Sequence, residues 1–212
     1  MAKSANNHWA ILGGTFDPVH IGHLRIAIQL REVGFTKVLL VPNHLPAHRP
    51  QPIAKAATRL AMLQLACQDL AGIEVNHIEL ERTEPSYSSV TIAKLKQQYP
   101  QSSFTWVLGQ DAWQGFEHWH QPLSLLEQAN LLVINRPGQT QTSAWQAQQL
   151  AERQASVAEL LSSKQGKISF LHWPALDISA SSLRKALAQG DNIRFLTPDS
   201  VLEYIQQHQL YR

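Results

Sequence analysis

The sequence predicts an α/β fold, a doubly wound, mainly parallel open sheet of about six strands in one domain over 1–212. Three observations carry this expectation. Short apolar runs alternate with stretches whose apolar residues recur every three or four positions, the rhythm of strand and helix in turn. The apolar runs are continuous rather than alternating, as in KVLLV and NLLVIN, which suits parallel strands buried on both faces. With 44% hydrophobic and 16% charged residues among 212, the chain has an ordinary globular composition, enough for a sizeable core.

Each element has its own signal. WAILG (9–13) reads as the first strand, and IGHLRIAIQLREVG as the helix after it, with Gly34 as its stop. KVLLV (37–41) is the second strand, ended by Pro42. Helical periodicity returns at 58–70, and GIEVNHIEL (72–80) reads as a third strand. Ser88 or Ser89 can cap the helix VTIAKLKQQY, which Pro100 ends. SFTWVLG (103–109), the run at 130–135 and KISFLHW (167–173) complete the strands. The Gln-rich stretch 142–163 reads as one solvated helix, and SASSLRKALAQG and TPDSVLEYIQQH as two more helices. The loop 42–55 and the segment 110–128 stand out as insertions.

Bulk charge and cysteine usage exclude several classes. The net charge is +2 without a Lys/Arg block, so no nucleic-acid partner is expected. The single cysteine, Cys67, lies in the apolar helical pattern LAMLQLACQDL and reads as a buried, inert thiol. MAKSANNHW lacks the apolar core of a signal peptide, and no run approaches a membrane span, so a cytoplasmic protein without a membrane partner is expected.

The chemistry concentrates after the strands. In open parallel sheets ligands bind at the carboxyl ends of strands, where strand order reverses. GGTFDPVHIGHL (13–24) directly follows the first strand. Gly13 and Gly14 let a main chain approach a ligand closely, and Asp17-Pro18 reads as a helix start. His20 and His23, three apart, share one face of the first helical turn, where free N–H groups already favour an anion. Two imidazoles there suit a phosphate whose charge rises during reaction. The pattern is neither a P-loop nor a GxGxxG fingerprint. Near the other end, Ile178-Ser179-Ala180-Ser181-Ser182-Leu183-Arg184 opens a helix after the last strand. Ser179 or Asp177 can cap it, and Arg184 offers a fixed cationic fork.

GGTFDPVHIGHL resembles the first motif of the HxGH adenylyl- and cytidylyltransferase superfamily, and residues 178–184 resemble its second, with Ala180 and Ser181 as small replacements. Along its full length the chain is similar to the bacterial nicotinate-mononucleotide adenylyltransferases. That resemblance implies a Rossmann-like fold and catalysis by His20, His23 and Arg184. It implies an ATP site of Gly13, Gly14, Thr15, Phe16, His20, His23, Gly109, Asp111, Arg136, Ile178, Ser179, Ser181 and Arg184. For the acceptor it implies Asn43, His48 and Arg49 in PNHLPAHRP (42–50), where Ala47 replaces a proline, and Tyr87 and Ser88 in PSYSSVT (85–91). Trp119 stands where the family stacks a pyridine ring. His120 stands where it often has Tyr, a change of small effect if the contact is main-chain N–H.

The implied reaction moves AMP from ATP to nicotinate mononucleotide, giving deamido-NAD and pyrophosphate. The acceptor phosphate is nucleophilic at neutral pH, so no protein nucleophile or covalent intermediate is assigned. Mg²⁺ is expected to sit mainly on ATP phosphate oxygens, with no protein metal cage. Phosphopantetheine adenylyltransferase is the nearest rival, expected to lack the PNHLPAHRP loop and the pairing of Trp119 with the SYS segment. A class I aminoacyl-tRNA synthetase would need a longer chain and a KMSKS-like loop. A non-catalytic nucleotide sensor would not need both histidines and Arg184.

Overall fold

Six apolar runs form strands: β1 (His8–Gly14), β2 (Lys37–Pro42), β3 (Ile73–Val75), β4 (Ser103–Gly109), β5 (Asn130–Asn135) and β6 (Ile168–His172). In the computed structural model, which describes residues 7–46, 51–135, 142–173 and 176–212, they make one sheet. Its order is β3-β2-β1-β4-β5-β6 and each neighbouring pair is parallel. The helices are α1 (Ile21–Val33), α2 (Ala56–Cys67), α3 (Ser88–Gln98), α4 (Gln110–Gln114), α5 (Pro122–Leu126), α6 (Ala144–Arg153), α7 (Val157–Ser162), α8 (Ala180–Gln189) and α9 (Asp199–Gln207).

The period of two along each strand sorts the apolar residues into two cores. Ala10, Leu12, Val38, Leu40 and Leu132 face one core, which α1, α2, α7 and α9 cover with Leu24, Leu63, Leu160 and Val201 among others. Trp9, Ile11, Leu39, Trp106 and Val133 face the other, covered by Ile92 and Leu95 of α3, Trp113 of α4 and Leu126 of α5. Strands buried on both sides explain why these runs are mostly apolar, with polar residues such as Thr105 and Ser169 buried within them. Cys67 is buried in the first core, and burial pushes its thiol up to about 11, the inert state expected of it.

The chain builds β1, β2 and β3 outward in one direction. It then returns through α3 to lay β4 on the other side of β1. Strand order therefore reverses between β1 and β4. The carboxyl ends of these two strands, at Gly14 and Gly109, flank the crevice where such folds bind ligands.

Four local expectations are corrected. The third strand stops at Val75 because the Asn76 side chain accepts from Ile78 N at 3.0 Å and Leu80 N then closes a turn on His77 O at 2.8 Å. The stretch 142–163 is two helices. Ser156 caps α7 in its own capping box with Glu159, while Ala155 N donates to Ile168 O of β6 at 2.9 Å. Asp17-Pro18 does not start α1, whose N-cap is His20, because the Asp17 carboxylate is occupied elsewhere. Neither Ser88 nor Ser89 caps α3. The N-cap is Tyr87, so Ser88 sits at the first helical position with one of the turn's main-chain donors.

Candidate active site

The turn after β1 is shaped by contacts that only glycine permits. A Cβ on Gly13 would come 2.7 Å from the Trp106 indole of β4, and one on Gly14 would meet the Phe16 ring at 2.9 Å. Phe16 takes a left-handed backbone, φ 50°, with its side chain buried. Its ring meets the edge of His23, centroids 4.9 Å apart. Asn43, at the end of neighbouring β2, donates from Nδ2 to Thr15 Oγ1 at 3.2 Å, and its N–H bonds Gly14 O.

His20 and His23 are brought together by the first turn of α1. Their rings stack with centroids 3.7 Å apart. The His20 main-chain N–H donates to His23 Nδ1 at 3.3 Å. A neutral His23 therefore carries its proton on Nε2. His20 is buried, and its Nδ1 has no hydrogen-bond partner among the described residues. Burial holds its pKa down at about 4, so its ring is neutral at neutral pH. The first N–H of α1 is not spare, since Ile21 N donates to Leu196 O at 2.9 Å.

The second motif closes onto the first. Ser179 caps α8, accepting from Ser182 N at 3.0 Å. That cap starts the helix so that Arg184 points back to β1. Its Nη1 donates to Asp17 O at 2.6 Å and its Nη2 to Ser181 Oγ at 3.2 Å. Ile178 O lies 3.9 Å from a Cβ placed on Gly22, so the loop before α8 runs beside the His20–His23 turn. Arg184 is thus not a freely solvated helix residue, and its side chain is only 24% exposed.

A second wall lies across the crevice. Ser86 N donates to Leu45 O, and Ser86 Oγ accepts from His44 N, both at 2.9 Å, joining the segment before α3 to the loop after β2. Tyr87 stacks on His120 at 4.2 Å, and Ser89 Oγ donates to His120 O at 3.1 Å. Trp119, half-buried, rests against Phe116 at 5.3 Å. Gly109 and Asp111 follow β4 at the reversal point, both exposed, and a Cβ on Gly109 would meet nothing within 4 Å. Beside them Gln110 is buried with no partner on Oε1. His48, Arg49 and Arg136 lie outside the described residues.

Three residues at this site carry no expectation from the sequence, Arg59, Gln110 and Tyr211, and a fourth, Asp17, carries a different one. Arg59 had a signal, a lone arginine in the apolar pattern RLAMLQLA, and it is 1% exposed. Asp17 was assigned to a helix cap, whereas its carboxylate accepts from Ile53 N at 2.7 Å, Ala54 N at 3.2 Å and Tyr211 OH at 2.6 Å. Nothing local to Tyr211 announces that contact.

The cytidylyltransferase-like family model matches residues 11–186, a span holding both motifs and the crevice between them. An Aeromonas hydrophila protein named "Probable nicotinate-nucleotide adenylyltransferase" is 42% identical over 205 residues, covering 95% of this chain and 96% of its own length. This chain belongs to the nicotinate-nucleotide adenylyltransferase family. A Salmonella gallinarum member of the same name is 38% identical over 211 residues, covering 96% and 98%. The fold is that of the Plasmodium falciparum nicotinic acid mononucleotide adenylyltransferase complexed with NaAD. It superposes with a TM-score of 0.74 at 18% identity, covering 97% of this chain and 98% of that one. No helix among the described residues of this adenylyltransferase-family chain is long and apolar enough to cross a membrane.

Proposed function

We propose that this chain, as a single nucleotidyltransferase domain, transfers AMP from ATP to nicotinate mononucleotide. The products are deamido-NAD and pyrophosphate, in NAD biosynthesis. The observation that carries the reading is the junction of the two motifs, where Arg184 reaches the Asp17 carbonyl beside the stacked histidines. In this reading the triphosphate lies along Gly13–Phe16, His20, His23 and the Ile178–Arg184 segment. The acceptor lies between Asn43 and the Tyr87, Ser88, Trp119, His120 wall, with His48 and Arg49 as further contacts, and Arg136 approaches the ATP.

A phosphate oxygen of the acceptor attacks the ATP α-phosphorus in line, and the bond to pyrophosphate breaks. The protein's part is alignment and charge stabilisation. His23 donates from Nε2. His20 donates as a neutral imidazole, without supplying full charge. Arg184 offers the fixed charge for the leaving phosphates. Mg²⁺ would supply neutralisation of phosphate charge and would be held mainly by phosphate oxygens. The Asp17 oxygens already accept three hydrogen bonds, so this carboxylate is not spare for a metal ion. A cytoplasmic location suits a free, reduced cysteine.

The test is pyrophosphate release from ATP and Mg²⁺ with nicotinate mononucleotide, nicotinamide mononucleotide or phosphopantetheine. Turnover fastest with nicotinate mononucleotide is expected. Turnover confined to phosphopantetheine, or ATP binding with no turnover at all, sinks the reading.

A further inference from the structure

We propose that Arg59, Asp17 and Tyr211 form a brace that positions the two ends of the loop after β2, at Asn43 and at Ile53 and Ala54, against the first motif and Arg184, making all three positioning residues for the transfer. The proposal rests on reading that loop as part of the acceptor site.

Arg59 spends its donors on three separate segments. Nη1 donates to Thr15 O at 2.6 Å, Nη2 to Asn43 O at 2.7 Å and Nε to Ala54 O at 3.3 Å. Asp17 takes N–H donors from Ile53 and Ala54 and the hydroxyl of Tyr211. Both ends of the loop, at 43 and at 53–54, are therefore tied to residues 15–17 of the first motif. The Asp17 carbonyl in turn accepts from Arg184. One buried cation and one buried anion connect the first motif, the two loop ends, Tyr211 and, through the Asp17 carbonyl, Arg184.

Stability alone does not account for this arrangement. Burying an arginine and a carboxylate costs desolvation that apolar residues of the same volume would avoid. What the brace does supply is orientation. In a trans peptide a carbonyl held by Arg59 turns the following N–H the opposite way. The Asn43 carbonyl so held leaves His44 N–H directed at Ser86 Oγ, two residues from Ser88. The Thr15 carbonyl so held sets the peptide that enters Phe16, whose left-handed backbone needs support from its surroundings. Tyr211 stays protonated through neutral pH because burial, with Asp17 beside it, pushes its pKa up, so the hydroxyl remains a donor.

The experiment compares Tyr211→Phe, Arg59→Lys and Arg59→Met with the wild-type chain. It reads kcat, KM for ATP and KM for nicotinate mononucleotide, together with circular dichroism and the melting temperature. Tyr211→Phe removes one hydroxyl, and is expected to fold and to lose about tenfold in kcat/KM for the acceptor. Arg59→Met is expected to lose about 10²-fold, the scale of a small misplacement of reacting groups. Arg59→Lys should recover part of that, since one ammonium can reach some but not all of three carbonyls. Tyr204→Phe, on α9 with its ring against His208, should keep wild-type kinetics. Kinetic constants within twofold of wild type in Tyr211→Phe and Arg59→Lys overturn the brace, whatever happens to the melting temperature. If the Arg59 variants do not fold, Tyr211→Phe decides. Asn43→Ala and His23→Ala are assayed in parallel. Their failure alongside a normal Tyr211→Phe defeats the brace alone, whereas normal kinetics in those two defeats the site reading and the brace with it.

Discussion

His20 and His23 lie face to face, ring centroids 3.7 Å apart and planes 27° from parallel, with the main chain of one hydrogen-bonded to the ring of the other. Two imidazoles in that arrangement oppose double protonation, and burial already disfavours charge on His20. His20 therefore presents a fixed, neutral donor at the mouth of α1.

The first prediction follows from that burial. The folded pKa of His20 is about 4 against an ordinary 6.5, so between these values the unfolded chain binds more protons. Stability from this group is complete above pH 6.5 and is lost progressively as pH falls toward 4, by about 3 kcal/mol in the limit. His8, also shifted down by burial, acts in the same direction. Urea melts should show stability falling from pH 7 to pH 5, with a shallower fall in His20→Gln. An identical pH slope in that variant would exclude His20 as the source.

Transition-state donors act on turnover. His20→Ala and His23→Ala should each lower kcat by about 10²–10³ while changing KM less. Steady-state kinetics on folded variants checks this. Near-normal kcat in both would make the stacked rings structural.

Arg184→Ala should weaken ATP use and also cost about 1–3 kcal/mol of stability, because the Asp17 carbonyl loses a charged donor in a half-buried setting. Nucleotide titration and a denaturant melt read the two effects separately. Unchanged ATP affinity and turnover would count against the clamp.

Selectivity should reside in main-chain donors rather than in the aromatic wall. N–H groups at Ser88 and His120 would meet a carboxylate well and the NH₂ of a carboxamide badly. Nicotinate mononucleotide should therefore be preferred by tenfold or more, at about 1–3 kcal/mol per mismatched group. Trp119→Ala should weaken both mononucleotides and preserve much of their ratio. Equal kcat/KM for the two acceptors in the wild type would overturn the carboxylate assignment and leave adenylyl transfer intact.

Gly13→Ala should destabilise the fold by about 1–3 kcal/mol, since the new methyl would sit 2.7 Å from the Trp106 indole on the adjacent central strand. Gly13→Ala combined with Trp106→Phe should regain part of that loss. A single variant as stable as wild type would show that the strands can shift at no cost.

Much of the molecule was written locally. Continuous apolar runs specify buried parallel strands, and so the two-faced sheet, because burial on both sides leaves few polar positions. Gly13, Gly14, His20 and His23 are close in sequence and close in space, so their spacing announced the first motif. Ser179 and Arg184 share one helix, which is why the second motif was equally legible. The tertiary structure decided what those groups touch. That α3 begins at Tyr87 depends on the segment joined to Leu45, and the break before α7 depends on β6, neither of which a helical period contains. Asp17 looked like a helix cap because a short carboxylate before proline is one locally. Its actual partners are the N–H groups of Ile53 and Ala54 and the hydroxyl of Tyr211, which lies 194 residues away. Arg59 showed only as a charge among apolar residues, since its three acceptors come from the loop after β1 and from both ends of the loop after β2. Periodicity and capping are interactions between near neighbours and can be read along a chain. Hydrogen-bond partners of buried charges are set by which segments the sheet order brings together, and only the folded chain contains that information.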